Sequence, residues 1–332
     1  MSGEKRQIRI LGISGGRPDS NNDTLCKQAL SAASSRGAEI SFVRLADLTI
    51  RDCRGCFSCT QSMTKHGLSR CVIRDDFDWL REKMLEADGI IFSLPVFRLG
   101  APVAFLRLIE RFGIRDDIGR YLLQMEGSAP PADKRILRPR PVIYMGTAGT
   151  DLTSRFDADC RLFSTVTMWP AAEVILFDWT RSVFGEKEKL DRAGAAGRRL
   201  AALLAGNEDS SQAESKGLCP HCHGDNIKIR PDSLRVECCS CGLTGKLGLR
   251  DERPVFLQES GVPSHCFGTA EGKRLHTRDV DDNNVLRAQM QKQPEWQENK
   301  RYFQKMRIFP QRPPADGADD QTEVQSERTQ KP

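Results

Sequence analysis

The sequence predicts an α/β protein: a doubly wound, five-stranded parallel sheet of order 2-1-3-4-5, followed by a small cysteine-bound module and a polar tail. Three observations carry this. Short apolar runs alternate with helical segments over residues 7–204. A loop rich in glycine and hydroxyl groups follows the first apolar run and leads into a helix. Most of the 12 cysteines fall in two tight clusters instead of being spread out as a disulfide framework.

Taken in order, Gln7 to Ile13 is a largely apolar strand, and the loop from Gly12 to Thr24 runs into a helix over 24–36. Amides at a helix start and small polar side chains make a cradle for phosphate. The loop matches neither the Gly-x-x-x-x-Gly-Lys-Ser/Thr phosphate motif nor the dinucleotide fingerprint Gly-x-Gly-x-x-Gly, and a plain polar turn with an Asn or Asp cap is its bland reading. A second strand, Glu39 to Leu45, precedes the first cysteine cluster. A helix over Trp79 to Ala87 leads to Gly89–Ser93, a continuous apolar strand of the kind buried on both faces. Ala101 to Phe112 is helical, Pro141 to Met145 is the fourth strand, and a helix near 155–168 leads to the fifth, Glu173 to Phe177. A basic helix from Lys187 to Leu204 closes the unit. In such a sheet, ligands sit beyond the carboxyl ends of the strands at the switch between strands 1 and 3, where loops 14–24, 94–100 and 146–150 meet.

Composition narrows the function classes. With 39% hydrophobic and 29% charged residues the chain is an ordinary globular protein. It has no apolar run long enough to span a bilayer and no signal-peptide core, so the default compartment is the cytoplasm. The net charge of +5, from 50 basic and 45 acidic residues, argues weakly for nucleic acid.

In the first cysteine cluster, Cys53, Cys56 and Cys59 recur every third residue, and Cys71 precedes Asp75-Asp76. Three such sulfurs can converge if the loop coils, and a fourth can close the shell, which is the ligand logic of a [4Fe–4S] cluster. A zinc site, or a metal-free thiol loop near a cofactor or a subunit contact, are the alternatives. His66 reads as a surface residue. The second cluster, Cys219-Pro-His-Cys222 and, fifteen residues on, Cys238-Cys239-Ser-Cys241, lies between alternating segments that suggest hairpins. Its spacing favours Cys219, Cys222, Cys238 and Cys241 as tetrahedral zinc ligands over sets that use Cys239, His221 or His223. A single iron, as in rubredoxin, is the other metal that would fit. Cys26 and Cys160 read as buried core thiols, and His265 and Cys266 receive no role.

Gly12-Ile-Ser14 through Thr24, Ser93-Leu-Pro95-Val-Phe97-x-x-Gly100-Ala-Pro102, and the following Leu106 to Arg111 together resemble the NADPH-dependent FMN reductase family, whose fold is flavodoxin-like. The Cys53 to Asp76 segment is similar to its iron-sulfur flavoprotein branch. The resemblance covers about residues 5–205. It implies that Ser14, Arg17, Ser20, Asn22 and Thr24 hold an FMN phosphate, and that Pro95, Val96, Phe97 and Arg98, with Thr147, Ala148 and Gly149, border the isoalloxazine ring. It further implies homo-oligomerisation and NAD(P)H as electron donor. The chain departs from the family at Arg107 and Glu110, where Lys and Asp are common. It also departs in the eleven residues between Cys59 and Cys71, an interval that is shorter in the iron-sulfur flavoproteins.

The expected organisation is an FMN-binding domain (5–205), a linker (206–217), a zinc-ribbon-like module (218–250), an extension (251–310) and a disordered tail (311–332). The expected function is an NAD(P)H oxidoreductase that passes electrons to a quinone, a flavin or another small acceptor, with a cluster at 53–71 as relay. The alternative is a redox-sensing or scaffold protein whose ribbon docks a protein or nucleic acid. The ribbon shows no aromatic stacking platform for the latter.

Overall fold

The computed structural model describes residues 6–67, 69–127, 133–207, 218–258 and 266–307. Its core is a parallel sheet of order β2-β1-β3-β4-β5, formed by β1 (Arg9–Ser14), β2 (Glu39–Arg44), β3 (Gly89–Pro95), β4 (Val142–Thr147) and β5 (Ala171–Phe177). The helices are α1 (Asn21–Ser34), α2 (Ser58–His66), α3 (Phe77–Glu86), α4 (Val103–Arg115), α5 (Ile118–Glu126), α6 (Phe156–Thr167) and α7 (Lys187–Leu204).

Side-chain alternation along the strands divides the core in two. Leu11, Ile13, Ile90, Phe92 and Tyr144 face α3, α4 and α6, where Phe92, Phe105, Phe112, Phe163 and Trp169 form an edge-to-face aromatic cluster. Ile10, Ile91, Ile143 and Met145 face α1 and α7. These two helices approach closely because Gly197 has no side chain: a Cβ there would run into the Ala29 backbone. Arg140, fully buried, donates to the carbonyls of Leu85, Ala87, Arg135 and Arg138, and so caps the end of α3.

Two helices depart from the sequence reading. α2 lies inside the segment expected to be a ligand loop, and α5 lies in a stretch given no element. α1 starts at Asn21, earlier than position 24, because Ser20 caps it by accepting from the Asp23 amide.

A second sheet, β6-β7-β8-β9, is antiparallel and runs from Ile227–Ile229 through Arg235–Cys238 and Thr244–Arg250 to Arg253–Gln258, past the expected module boundary at 250. Helices α8 (Ala270–Met290) and α9 (Pro294–Lys305) follow, within the expected extension. The chain divides into compact units at Asp279/Val280. In the second unit, Lys300 lies over the Trp296 ring and Tyr302 packs edge-on against Phe303. Residues 208–217 of the expected linker, His265 and the expected tail lie outside the described residues. Among the described residues no helix is long and apolar enough to cross a membrane.

Candidate functional site

The carboxyl ends of β1, β3, β4 and β5 lie side by side, as the pairs Ser14↔Ser93, Pro95↔Thr147 and Thr147↔Phe177 require. Asn22, buried in the first turn of α1, joins them: its Oδ1 accepts from Thr147 Oγ1 at 3.0 Å and from Ser93 Oγ at 3.4 Å. Ser14 is also buried, and its hydroxyl accepts from the Gly16 amide. Burial alone would raise the Asp23 carboxyl, but hydrogen bonds from Arg44 and Ser14 hold it below its ordinary value. Ser14 and Asn22 are therefore internal props of the loop. Arg17 is exposed, Ser20 is the helix cap, and Thr24 Oγ1 bonds back to the Ser20 carbonyl. A Cβ on Gly16 would collide with Ser20 Oγ, so only glycine lets the loop fold this tightly over the helix start.

Beside this loop, Phe97 and Gly100 exchange two backbone hydrogen bonds around a tight turn whose central residues, Arg98 and Leu99, both have positive φ (51° and 75°). This mirror-image turn strains residues with side chains, as functional loops commonly do. It leaves Phe97 63% exposed. Next to it, Ala148 bonds to Phe177 and Thr180, and Gly149 borders open space. The same pairing places Trp179, 61% exposed and also at positive φ, on this edge. Asn21 draws the following segment in by accepting from the Val183 amide. The sequence reading missed Trp179 and Asn21; a tryptophan directly beyond the fifth strand was the available signal.

A helix N-terminus with an exposed arginine, next to exposed aromatic and aliphatic loops, fits a group that is anionic at one end and flat at the other. FMN has that form. Of the residues expected to border its ring, Pro95, Val96, Phe97, Arg98, Thr147, Ala148 and Gly149 all lie on this edge.

The first cysteine segment is arranged differently. α2 takes Cys59 into its first turn, where the buried sulfur faces the Ile114 carbonyl at 3.5 Å. Cys56 is exposed and its sulfur accepts from Ser58; Cys53 is half-buried; Cys71 accepts from Arg111 at 3.8 Å. Arg111 forms a buried ion pair with Asp75 at 2.6 Å and also donates to the Arg51 carbonyl, pinning both stems of the excursion. Among the described residues one group of three or more ligand side chains converges, and it is not this one. Cys53, Cys56, Cys59 and Cys71 do not converge as closely as ligands of a single metal ion would.

The converging group is Cys219, Cys222, Cys238 and Cys241, whose sulfurs all lie within 4.8 Å of one another. The Cys219–Cys241 and Cys222–Cys238 sulfurs are 3.6 and 3.4 Å apart. A zinc tetrathiolate with bonds of about 2.3 Å has sulfur–sulfur edges of about 3.8 Å, so the set fits a tetrahedral metal with little movement. Cys239 is exposed and outside the set. Cys266 packs in the same cluster, and the Phe267 amide bonds to the Cys241 carbonyl.

A model of the family described as NADPH-dependent FMN reductase matches residues 8–178, just over half of the chain. An iron-sulfur flavoprotein of Methanocaldococcus jannaschii is 35% identical over 120 residues, covering 34% of this chain and 59% of that protein. A flavone synthase of Aspergillus candidus is 27% identical over 293 residues, covering 82% of this chain and 89% of that one. A solved structure described as a flavone reductase superposes with a TM-score of 0.80 at 30% identity, covering 92% of this chain and all of the other.

Proposed function

Because the chain belongs to the NADPH-dependent FMN reductase family, we propose that its carboxyl-edge loops hold FMN and that it moves a hydride between a nicotinamide donor and a flat aromatic acceptor of the flavone type. Bound FMN supplies the hydride chemistry. The α1 start and Arg17 hold the phosphate. The turn at Phe97–Gly100 and the Thr147–Gly149 loop border the ring, and the exposed Phe97 and Trp179 give a planar acceptor apolar surface on which to stack. Proton transfer to the acceptor needs no dedicated acid among these residues if it comes from solvent.

The observation that carries the acceptor class is the extent of the likeness. The iron-sulfur flavoprotein matches about a third of the chain, whereas the flavone synthase and the flavone reductase cover 82% and 92% of it. The same contrast supports a two-electron flavoenzyme. We assign zinc to the Cys219/Cys222/Cys238/Cys241 centre as a folding staple, since so short a segment has little core of its own.

The test is anaerobic. FMN-loaded protein is reduced with NADPH and mixed with a flavone, and absorbance near ~450 nm is followed. Return of the oxidised band with loss of the flavone supports the reading. A flavin reoxidised by a quinone but not by a flavone would restore the broader quinone or flavin reductase assignment.

A further inference from the structure

The cysteine module and the flavin edge grip the same turn of α6 from opposite sides. On the module side, Arg161 pairs with Asp157 at 2.8 Å and donates to the carbonyl of Cys222, one of the four converging cysteines. Ser240, between Cys238 and Cys241, donates to the Ala158 carbonyl at 3.4 Å. Gly224 lets this contact close, because a Cβ there would lie 3.1 Å from Arg161 Cδ. On the flavin side, the next residue, Asp159, is buried, and its Oδ2 accepts from the Ala101 amide at 2.9 Å. The Arg155 amide bonds to the Leu99 carbonyl at 2.9 Å, and a Cβ on Gly100 would collide with Asp159 Oδ2. The loop so held is the positive-φ turn of Arg98 and Leu99, which has no other backbone anchor than its own Phe97–Gly100 bridge and this one among the bonds described.

We infer that the four-cysteine centre positions the flavin loop: metal bound there fixes the Cys222 carbonyl and Ser240, these fix the first turn of α6, and Asp159 with Arg155 fixes the turn at 97–101. The knuckle backbone is ordered by its metal, and the turn's strained conformation persists only where its surroundings over-determine it. Arg161 and Asp159 are positioning residues; neither need touch substrate. The inference rests on the flavin reading above. It makes metal and FMN two ligands of one coupled system, and coupling between binding sites is reciprocal.

The test uses the full-length chain carrying zinc, with and without FMN. FMN binding is first measured by quenching of flavin fluorescence; zinc release to a colorimetric chelator is then timed. The expected result is that saturating FMN slows zinc release about 5-fold or more, and that removing zinc weakens FMN by a similar factor. Arg161→Ala, which keeps all four cysteines, is expected to bind both ligands and lose the mutual effect. Asp159→Ala, which removes the acceptor of the Ala101 amide, cuts the same link at its flavin end and serves if Arg161→Ala does not fold. Zinc release unchanged by bound FMN in the unmutated protein overturns the coupling alone. Failure to bind FMN at all overturns the flavin reading and the coupling together, and purified protein without metal overturns the coupling.

Discussion

Asn22 Oδ1 accepts a hydrogen bond from Thr147 Oγ1 at 3.0 Å, tying the first turn of α1 to the end of β4 across the point where the sheet reverses its order. The cradle for a phosphate and the loop beside a flavin ring are thereby one construction. Asn22→Ala leaves the Thr147 and Ser93 hydroxyls buried without their acceptor, at a cost of about 1–3 kcal/mol. Asn22→Asp keeps the acceptor but adds negative charge at the helix start. The expected outcome is a lower melting temperature for the alanine variant, and for the aspartate variant weakened FMN binding with a smaller stability loss. Calorimetry and FMN titration separate the two.

Asp75 and Arg111 are the second buried pair on which a prediction rests. Burial pushes the Asp75 carboxyl up, but Arg111 and the amides of Arg51 and Phe77 hold it below its ordinary value. Its contribution is therefore complete above the unfolded value of 3.8 and is lost as pH falls through the lower folded value. Asp75→Asn strands the Arg111 charge and should cost about 3–5 kcal/mol near neutral pH. Melting curves between pH 2 and 7 should show the gap between variant and unmutated protein closing at the acid end.

Lys273 works in the opposite direction. Burial pushes its ammonium down to about 7, against the attraction of Asp117 and Cys266, while its Nζ lies 3.5 Å from the Phe267 ring centroid. The folded state holds the proton less tightly than the unfolded one, whose value is 10.5, so stability rises with pH from about 7 to 10.5. Lys273→Met should be relatively most stable at and below neutral pH and lose that advantage as pH approaches 10. A stability difference that does not vary with pH would refute this.

Metal removal should act on one cysteine set. Cys222→Ser or a strong chelator is expected to abolish the bound zinc, whereas Cys239→Ser, at an exposed position outside the converging set, should keep one zinc per chain by elemental analysis. Loss of metal in the Cys239 variant would move the ligand set.

The five-stranded sheet was legible because strands buried on both faces leave continuous apolar runs such as Ile90–Phe92, and because parallel topology has few solutions. α2 was not, since Ser58–His66 is polar and buries only Cys59 and Met63, four residues apart; that spacing was the one helical sign. Its formation buries Cys59 against the Ile114 carbonyl. The roles of Asp159 and Arg161 were invisible for another reason: both depend on partners far along the chain, Ala101 and Cys222, which no local pattern announces. Cys266 likewise meets Cys241 only through the fold.

The central claim, FMN held at the carboxyl edge by the α1 start, is tested most directly by titrating flavin-stripped protein with FMN and following flavin fluorescence, in the unmutated chain and in Arg17→Glu. One FMN per chain, with affinity lowered about tenfold or more by the charge reversal, is the predicted result. No binding, or binding indifferent to Arg17→Glu, would contradict it.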